Sequence, residues 1–124
     1  MGVFLEPMKF LLDTNILMSI ESVNIDLGSE LSKFGKPELY TLDVVKKELI
    51  KKSNIQAKIA LEFIKRFKVK VIKSSGQDAD SEIVRTASEK GFVVCTQDKA
   101  LIKRLVRKGV KVVYIRQKRF LEMF

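Results

Sequence analysis

The sequence contains no histidine among its 124 residues and only one cysteine, Cys95. The absence of histidine excludes Ser-His-Asp and Cys-His nucleophilic sites, the HExxH zinc motif and histidine general bases. A single cysteine excludes a disulfide framework and any zinc site built on paired cysteines. No GxxxxGK phosphate-binding loop is present either. The chemistry left to this chain is that of carboxylates, lysine, arginine, hydroxyls and whatever metal the carboxylates can hold.

Long apolar segments are also missing. The longest runs, Phe92–Cys95 and Val112–Ile115, have four residues each, whereas a membrane-spanning helix needs ~20. The N-terminus has neither the basic start nor the apolar stretch of a secretory signal, and Glu6 stands where a myristoylation motif needs Ser or Thr. We therefore expect a cytoplasmic protein with no membrane partner. The length and even composition predict one globular domain over residues 1–124, with residues 1–7 as a loose leader.

Charge is distributed unevenly along the chain. The net charge is +9, from 24 basic and 15 acidic residues, but residues 1–45 carry an excess of acid while residues 46–124 are strongly basic. The segment Lys99–Arg119 holds nine basic residues and no acidic one. Such a field attracts polyanions, of which nucleic acid is the commonest. A lysine-rich surface that serves solubility or heat resistance is the alternative explanation.

Short apolar runs alternate with longer segments of helical periodicity. The predicted strands are Lys9–Leu12, Glu38–Thr41, Val69–Ile72, Phe92–Cys95 and Lys111–Ile115. The predicted helices are Ile16–Ile20, Leu27–Phe34, a helix capped by Thr41 or Asp43, one from Asn54 to Phe67, one starting at Asp78 or Asp80, and Lys99–Arg107. Strands separated by helices indicate βαβ units. We therefore predict a three-layer α/β/α sandwich with a central parallel sheet.

Two carboxylates fall where the predicted strands end. Asp13 directly follows the first strand, and Asp98 follows the strand Phe92–Cys95 by three residues. Ligands of open parallel sheets bind outside these carboxyl ends. If Asp80 and Glu48 converge with them, the clustered negative charges raise one another's pKa, and a divalent cation removes that repulsion. Carboxylates select hard ions such as Mg²⁺ or Mn²⁺.

Each of these acids also has a purely structural interpretation. An Asp that follows a strand is frequently a helix cap, which fits Asp80 and Asp98. Glu48 lies mid-helix among lysines and is spaced to pair with Lys52 on a solvated face. The segment Asp13-Thr14-Asn15 is more specific, because it puts a carboxylate, a hydroxyl and an amide in a single turn.

Four segments, taken in order, resemble the motifs of PIN-domain nucleases, over Met8 to about Ile115. They are FLLDTNIL at residues 10–17, VKKEL at 45–49, DSEIVRTA at 80–87 and VVCTQDKAL at 93–101. The basic tail from Val93 to Phe124 is most similar to that of rRNA-processing PIN proteins. The short chain is equally similar to the VapC toxins of prokaryotic toxin–antitoxin pairs.

The resemblance implies metal-dependent cleavage of single-stranded RNA with Mg²⁺ or Mn²⁺, commonly by a homodimer, with an antitoxin protein as partner if the chain is a toxin. By motif match, the catalytic carboxylates would be Asp13, Glu48, Asp80 and Asp98. Of these, Asp13, Asp80 and Asp98 would bind the metal, and the supporting polar groups would be Thr14, Asn15 and Thr96. The alternative function is an RNA-binding ribosome-biogenesis protein that cleaves weakly or not at all.

The helix that follows Asp98 predicts an RNA-binding surface. At 100° per residue, three basic residues lie in one stripe of this helix, and its apolar residues lie on a different face that packs on the core. The stripe consists of Lys99, Lys103 and Arg107, and the core face of Leu101, Ile102 and Leu105. We expect the stripe to contact phosphates next to the acidic site; a solvated helix face is the alternative.

Overall fold

The computed structural model describes residues 6–124, which form one six-stranded sheet and six helices. The strands are β1 (Pro7–Leu12), β2 (Lys36–Leu42), β3 (Lys70–Ile72), β4 (Val93–Cys95), β5 (Val112–Arg116) and β6 (Phe120–Met123). The helices are α1 (Thr14–Ser22), α2 (Leu27–Ser32), α3 (Asp43–Lys52), α4 (Ile55–Arg66), α5 (Ala79–Lys90) and α6 (Lys99–Arg107). Within residues 6–124, no helix combines the length and apolarity that crossing a bilayer would require.

The sheet has the strand order β3-β2-β1-β4-β5-β6, in which the first five strands run parallel and β6 runs antiparallel to β5. The central strands are covered on both faces, since Phe10–Leu12 and Val93–Cys95 are entirely buried. Edge strand β3, by contrast, exposes Lys70 and Val71. Burial of successive residues is the mark of a parallel sheet between two helical layers. The predicted α/β sandwich is confirmed.

The winding of the chain reverses between β1 and β4. From β1 the chain moves outward through β2 to β3, and then crosses back to β4 on the other side of β1. Helices α1, α3 and α4 pack together, whereas α5 and α6 pack together against β4 and β5. Right-handed crossovers made in opposite directions place these two groups on opposite faces of the sheet. The crevice between the ends of β1 and β4 is therefore the position at which such sheets bind ligands.

Local signals set several helix ends as predicted. Asn54 accepts a hydrogen bond from Ala57 N at 2.8 Å and caps α4. Gly91 ends α5 with a φ of 72°, a left-handed conformation that glycine adopts without strain. Helix α6 has the predicted bounds. The leader expected over residues 1–7 falls mostly outside the described residues, and Pro7 itself begins β1.

The predicted cap of α3 is wrong. Leu42 occupies the N-cap position and makes no side-chain cap bond. The two polar residues beside it bond elsewhere: Thr41 Oγ1 donates to Leu12 O at 2.7 Å, and Asp43 Oδ1 accepts from Ser74 N at 3.0 Å. Both hydrogen bonds link neighbouring segments at the carboxyl ends of the strands, so tertiary contacts prevail over local capping.

Strand β6 extends the sheet beyond Ile115, where the sequence pattern predicts its last strand to end. The antiparallel pair β5–β6 is held by an ion pair between Arg116 Nη1 and Glu122 Oε2 at 2.8 Å. On the outer edge of β6, Leu121 N donates to Glu30 Oε1 of α2 at 2.8 Å. The last residues of the chain are thereby fixed to the body of the domain.

Candidate active site

A cleft of about 280 Å³ opens at the edge of the sheet where the parallel strands end. All four carboxylates expected from the sequence line it, together with two of the three supporting residues. The lining consists of Asp13, Thr14, Asn15, Met18, Glu48, Lys52, Ala79, Asp80 and Asp98. The third supporting residue, Thr96, is buried and hydrogen-bonded to Asp13. Four separate segments of the chain thus contribute acids to a single cleft.

Asp13 is the most rigidly held of these acids. It is only 8% exposed, and its backbone N–H donates to Cys95 O of β4 at 3.1 Å. Its two carboxylate oxygens accept from Thr14 N and from Thr96 Oγ1, both at 2.8 Å. Burial raises the pKa of Asp13, and the nearby charges of Asp80 and Asp98 raise it further, against the opposing effect of the two hydrogen bonds. The carboxylate is therefore oriented, but its negative charge is poorly compensated.

Asp98 is a helix cap and also lines the cleft. Its Oδ1 accepts from Ala100 N at 3.0 Å and from Leu101 N at 3.2 Å, which caps α6. The same side chain lines the cleft. Its backbone N–H donates to Thr96 Oγ1 at 3.1 Å, and that hydroxyl in turn donates to Asp13. Thr96 therefore joins the two strand-end aspartates in one hydrogen-bonded unit.

Two aspartates at the start of α5, Asp78 and Asp80, have different positions: one caps the helix and the other faces the cleft. Asp78 is the N-cap, since its Oδ2 accepts from Ser81 N at 3.1 Å, and this bonding lowers its pKa. Asp80 lies in the first turn and faces the cleft. Burial raises the pKa of Asp80, followed in effect by the charge of Asp98, while Arg104 opposes the shift. Capping therefore does not account for Asp80.

Glu48 reaches the cleft from the middle of α3. Its Oε2 accepts a hydrogen bond from Thr14 Oγ1 at 3.2 Å. The i,i+4 ion pair with Lys52 is not among those formed by residues 6–124, and Lys52 instead lines the cleft itself. Thr14 therefore links the α3 side of the cleft to the turn that holds Asp13.

A buried glutamate that no sequence motif indicates fixes the loop before α5. Glu82 is inaccessible to solvent, and its Oε1 accepts from Ser75 N at 3.0 Å and from Gln77 N at 3.1 Å. Its Oε2 accepts from Arg85 Nη2 at 2.8 Å. Bonds from the Ser75 hydroxyl and from Arg85 lower the pKa of Glu82 to about 2. The donors lie five to seven residues upstream in a loop without regular periodicity, so no pattern in the sequence reveals them.

Gln97, also unanticipated, anchors the turn that carries Asp98. Its side-chain amide accepts from Ile115 N and donates to Ile115 O of β5 at 3.3 Å. Beyond the end of β4, this side-chain amide makes the two hydrogen bonds to β5 that the backbone of a further strand residue would make. Gln97 N donates to Asn15 Oδ1 at 3.2 Å. The turn 96–98 is thereby attached to both β5 and α1.

The basic residues near the cleft extend beyond the predicted stripe. Lys99, Lys103 and Arg107 are exposed on α6, and Leu101 and Leu105 are buried as expected. Arg104, which was not selected from the sequence, donates from Nη2 to Ser81 Oγ at 3.2 Å and lies close enough to Asp80 to affect its pKa. Arg104 and Lys52 therefore put positive charge directly beside the carboxylates.

The donor set suits a hydrated hard cation. Carboxylate oxygens are the ligands that Mg²⁺ and Mn²⁺ favour. Among residues 6–124, no three acidic or cysteine side chains converge closely enough to enclose an ion as they stand. Mg²⁺ does not require such a cage, because it keeps several waters and binds through one or two carboxylates plus substrate phosphate. The open arrangement of the acids fits an ion of that kind.

A second, larger cavity of about 640 Å³ lies between α2 and the β2–β3 edge. Two carboxylates, Asp26 and Glu38, line it. Asp26 is engaged as the N-cap of α2 through Ser29 N at 3.1 Å. The acids are therefore concentrated in the smaller cleft, which is the better candidate for chemistry.

Comparison with known proteins identifies the family of this chain. A family model described as "PIN like domain" matches residues 10–118. Ribonuclease VapC9 of Archaeoglobus fulgidus is 29% identical over 112 residues, which cover 85% of this chain and 81% of that protein. Ribonuclease VapC4 of Methanocaldococcus jannaschii is 29% identical over 128 residues, which cover 94% of this chain and 96% of that protein.

Solved structures show the same architecture. The structure of the PIN domain endonuclease Utp24 matches with a TM-score of 0.80 and 28% identity, covering 93% of this chain and 90% of that one. A PilT N-terminus domain protein of Sulfolobus solfataricus P2 matches with a TM-score of 0.64 at 18% identity, covering 90% of each chain, and supports the fold alone. The family resemblance drawn from four short motifs is confirmed. Because the family model spans most of its length, the chain belongs to the PIN-like domain family.

Proposed function

We propose that this protein is an endoribonuclease that cleaves single-stranded RNA with the help of Mg²⁺ or Mn²⁺. The observation that carries the proposal is the gathering of Asp13, Glu48, Asp80 and Asp98 around one cleft at the β1–β4 crevice. The naming of two relatives as ribonucleases and of a third as an endonuclease supports the reaction class.

The residues of the cleft divide the work of binding and orientation. Asp13 and Asp98 would hold the divalent ion directly, and Asp80 would hold it directly or through one of its waters. Thr96 fixes the position of Asp13 relative to Asp98. When bound, such an ion lowers the pKa of water and offsets charge on the phosphate. Glu48 and Thr14, bonded to each other on the α3 side, would orient the water that enters there.

Positive charge around the acids would position the substrate. Arg104 and Lys52 flank the cleft, and Lys99, Lys103 and Arg107 extend the basic surface along α6. Phosphate contacts of this kind carry affinity and little sequence information. A protein of this kind with few base-reading groups should prefer accessible single strands.

The direct test is cleavage of mixed RNAs by the purified protein with and without Mn²⁺, beside the variant Asp13→Asn. Asp26→Asn is the matched control, because Asp26 caps α2 outside the cleft and Asn also caps helices. We expect the parent and the control to cut only with metal, and Asp13→Asn not to cut. Cleavage by Asp13→Asn at the parent rate would overturn the assignment of the cleft.

The α6 stripe has its own test. Replacement of Lys99, Lys103 and Arg107 by Gln should weaken RNA binding alike across sequences, and should flatten the salt dependence by roughly 0.7 for each lost single-strand contact. Thermal stability should change little, because all three side chains are exposed. Unchanged binding at physiological salt would reduce the stripe to a solvated helix face.

We also propose that the enzyme acts as the toxin of a VapBC-type pair, on the strength of the two VapC relatives. Induced expression should then arrest growth, and Asp13→Asn should not. Healthy growth despite RNA cleavage in vitro would favour the ribosome-biogenesis alternative. The homodimer and the antitoxin partner stay predictions, to be checked by light scattering of the chain alone and with the product of a neighbouring small gene.

A further inference from the structure

The connection between β5 and β6 has an unusual backbone. It consists of Gln117, Lys118 and Arg119, and is closed by a hydrogen bond from Arg119 N to Arg116 O at 3.2 Å. Gln117 and Lys118 have positive φ values of 55° and 54°. Consecutive left-handed residues are the mark of type I′ hairpin turns, in which Asn-Gly is strongly preferred. Residues other than glycine are strained in the left-handed region, and such strain clusters at functional sites.

The basic side chains of this turn are available to a ligand. Lys118 and Arg119 are exposed, and neither forms an ion pair with any of residues 6–124. Arg116, by contrast, is committed to Glu122. The frame beneath the turn is fixed on one side by the Gln97 amide bonded to Ile115, and on the other by Leu121 N bonded to Glu30. The turn therefore presents two cations on a rigid hairpin.

The turn projects from the same end of the sheet as the acidic cleft. Strands β1, β4 and β5 are parallel, and their register aligns Leu12 with Cys95 and Cys95 with Val113. Asp13 and Thr96 follow at this level, whereas β5 continues to Arg116 before it turns. At about 5 Å between neighbouring strands, the turn stands two strands to the side of Asp13 and rises beyond it. It forms a basic ridge beside the cleft.

We propose that the turn Gln117–Arg119 binds backbone phosphates of the RNA strand that enters the cleft. This inference rests on the proposed function, and it names a contact surface separate from α6. Lysine and arginine bind phosphate without reading bases, so the turn contributes affinity and the direction of the strand. The side chain of Lys118 accounts for a non-glycine residue at a position where glycine would be less strained.

Binding is measured with a labelled single-stranded RNA of mixed sequence in the Asp13→Asn background, which we expect not to cleave the RNA. The test variant is Lys118→Gln with Arg119→Gln. The matched control is Lys108→Gln with Lys111→Gln, which removes the same charge at the opposite end of the sheet, where α6 ends and β5 begins. We expect the test variant to bind on the order of tenfold more weakly at 0.15 M salt, with a salt slope smaller by roughly 1.4. The control should change little, because screening limits charge effects to about 8 Å.

A second variant separates the side chain from the backbone. Gln117→Asn with Lys118→Gly should raise the Tm, because Asn-Gly fits the turn, and yet should weaken RNA binding. Equal weakening by the test and control pairs, or parent-like binding by the test pair or by the Asn-Gly variant, would overturn the inference. A Tm that does not rise would overturn the argument from strain.

Cleavage by the wild-type chain, measured in parallel, keeps the two proposals apart. If the wild type cuts RNA while the turn variants behave like their parent, the turn fails alone. If the wild type neither cuts nor binds single-stranded RNA, the proposed function fails and the turn fails with it.

Discussion

Two carboxylates stand two residues apart at the start of α5 and lie in opposite environments. Asp80 faces the cleft, where burial and the charge of Asp98 raise its pKa. Glu82 is enclosed by the Ser75–Gln77 loop and Arg85, whose hydrogen bonds lower its pKa to about 2. Glu82 therefore stabilises the loop through its hydrogen bonds, whereas the negative charge of Asp80 is poorly compensated. Both side chains are carboxylates, and what distinguishes them is the number of hydrogen-bond donors around each.

Of these two acids, Asp80 should have the larger effect on activity when it is replaced. Asp80→Asn should lower the cleavage rate by about 10²- to 10³-fold, the loss typical of removing one group that stabilises a transition state. The Tm should hold or rise, because a poorly compensated charge is removed. Single-turnover cleavage and thermal unfolding measure the two effects.

Asp78→Asn is the matched control, because it changes an acid two residues away that serves as the cap of α5. Asn also caps helices, so this variant should cleave and unfold like the parent. Equal loss of activity in both variants would show that the start of α5, and not Asp80 itself, is what the reaction needs.

Removing Glu82 should lower the thermal stability of the fold. Glu82→Ala leaves the backbone N–H groups of Ser75 and Gln77 and the Nη2 group of Arg85 without their acceptor. It should lower the Tm by about 5–10 °C. Glu82→Gln keeps one acceptor oxygen and should fall between Ala and the parent. A Tm loss no larger than that of Asp80→Asn would contradict the contrast between the two acids.

A metal ion bound in the cleft that Asp80 lines should stabilise the native fold. At an Mn²⁺ concentration about ten times Kd, mass action on the native state gives about 1.4 kcal/mol, or a Tm rise of about 5 °C for a domain of this size. Asp80→Asn should reduce the rise, whereas Asp78→Asn should retain it. No rise at millimolar Mg²⁺ or Mn²⁺ would argue against a functional ion at these residues.

Protonation at low pH should destabilise the fold at Glu82 and stabilise it at the cleft aspartates. Because the pKa of Glu82 is lowered from 4.5 to about 2, its stabilising effect is complete above pH 4.5 and is lost as the pH falls toward 2. Asp13 and Asp80, whose pKa values are raised, destabilise the fold when ionised, and protonation relieves them. Denaturant unfolding at a series of pH values should show a shallower loss between pH 4.5 and 2 in Glu82→Gln than in the parent.

The elements that sequence predicted well are those with strong local signals. Helix α6 has a basic face, an apolar face and a capping aspartate, and its observed bounds are those that the sequence predicts. The sheet and its parallel core followed from buried runs at regular intervals. The candidate acids followed from strand ends and from motif order, and the cleft brings all four of them together.

The elements that sequence missed depend on long-range partners or on atypical turns. Strand β6 is short, and the turn before it has Gln117 and Lys118 where glycine or asparagine would have signalled a hairpin. Gln97 acts through Ile115, eighteen residues away, and Arg104 acts through Ser81 on another helix. Such contacts become visible only when the sheet order is known.

The one cysteine of the chain gives this sheet an internal reporter. Cys95 lies fully buried in β4, between β1 and β5, and burial raises the pKa of its thiol. A thiol-directed reagent can therefore modify it only when the centre of the sheet opens. Since Cys95 directly precedes Thr96, its labelling rate in the native state follows the opening of the strand that carries the support of Asp13 and Asp98. A metal ion or RNA bound in the cleft should slow that labelling without any engineered probe.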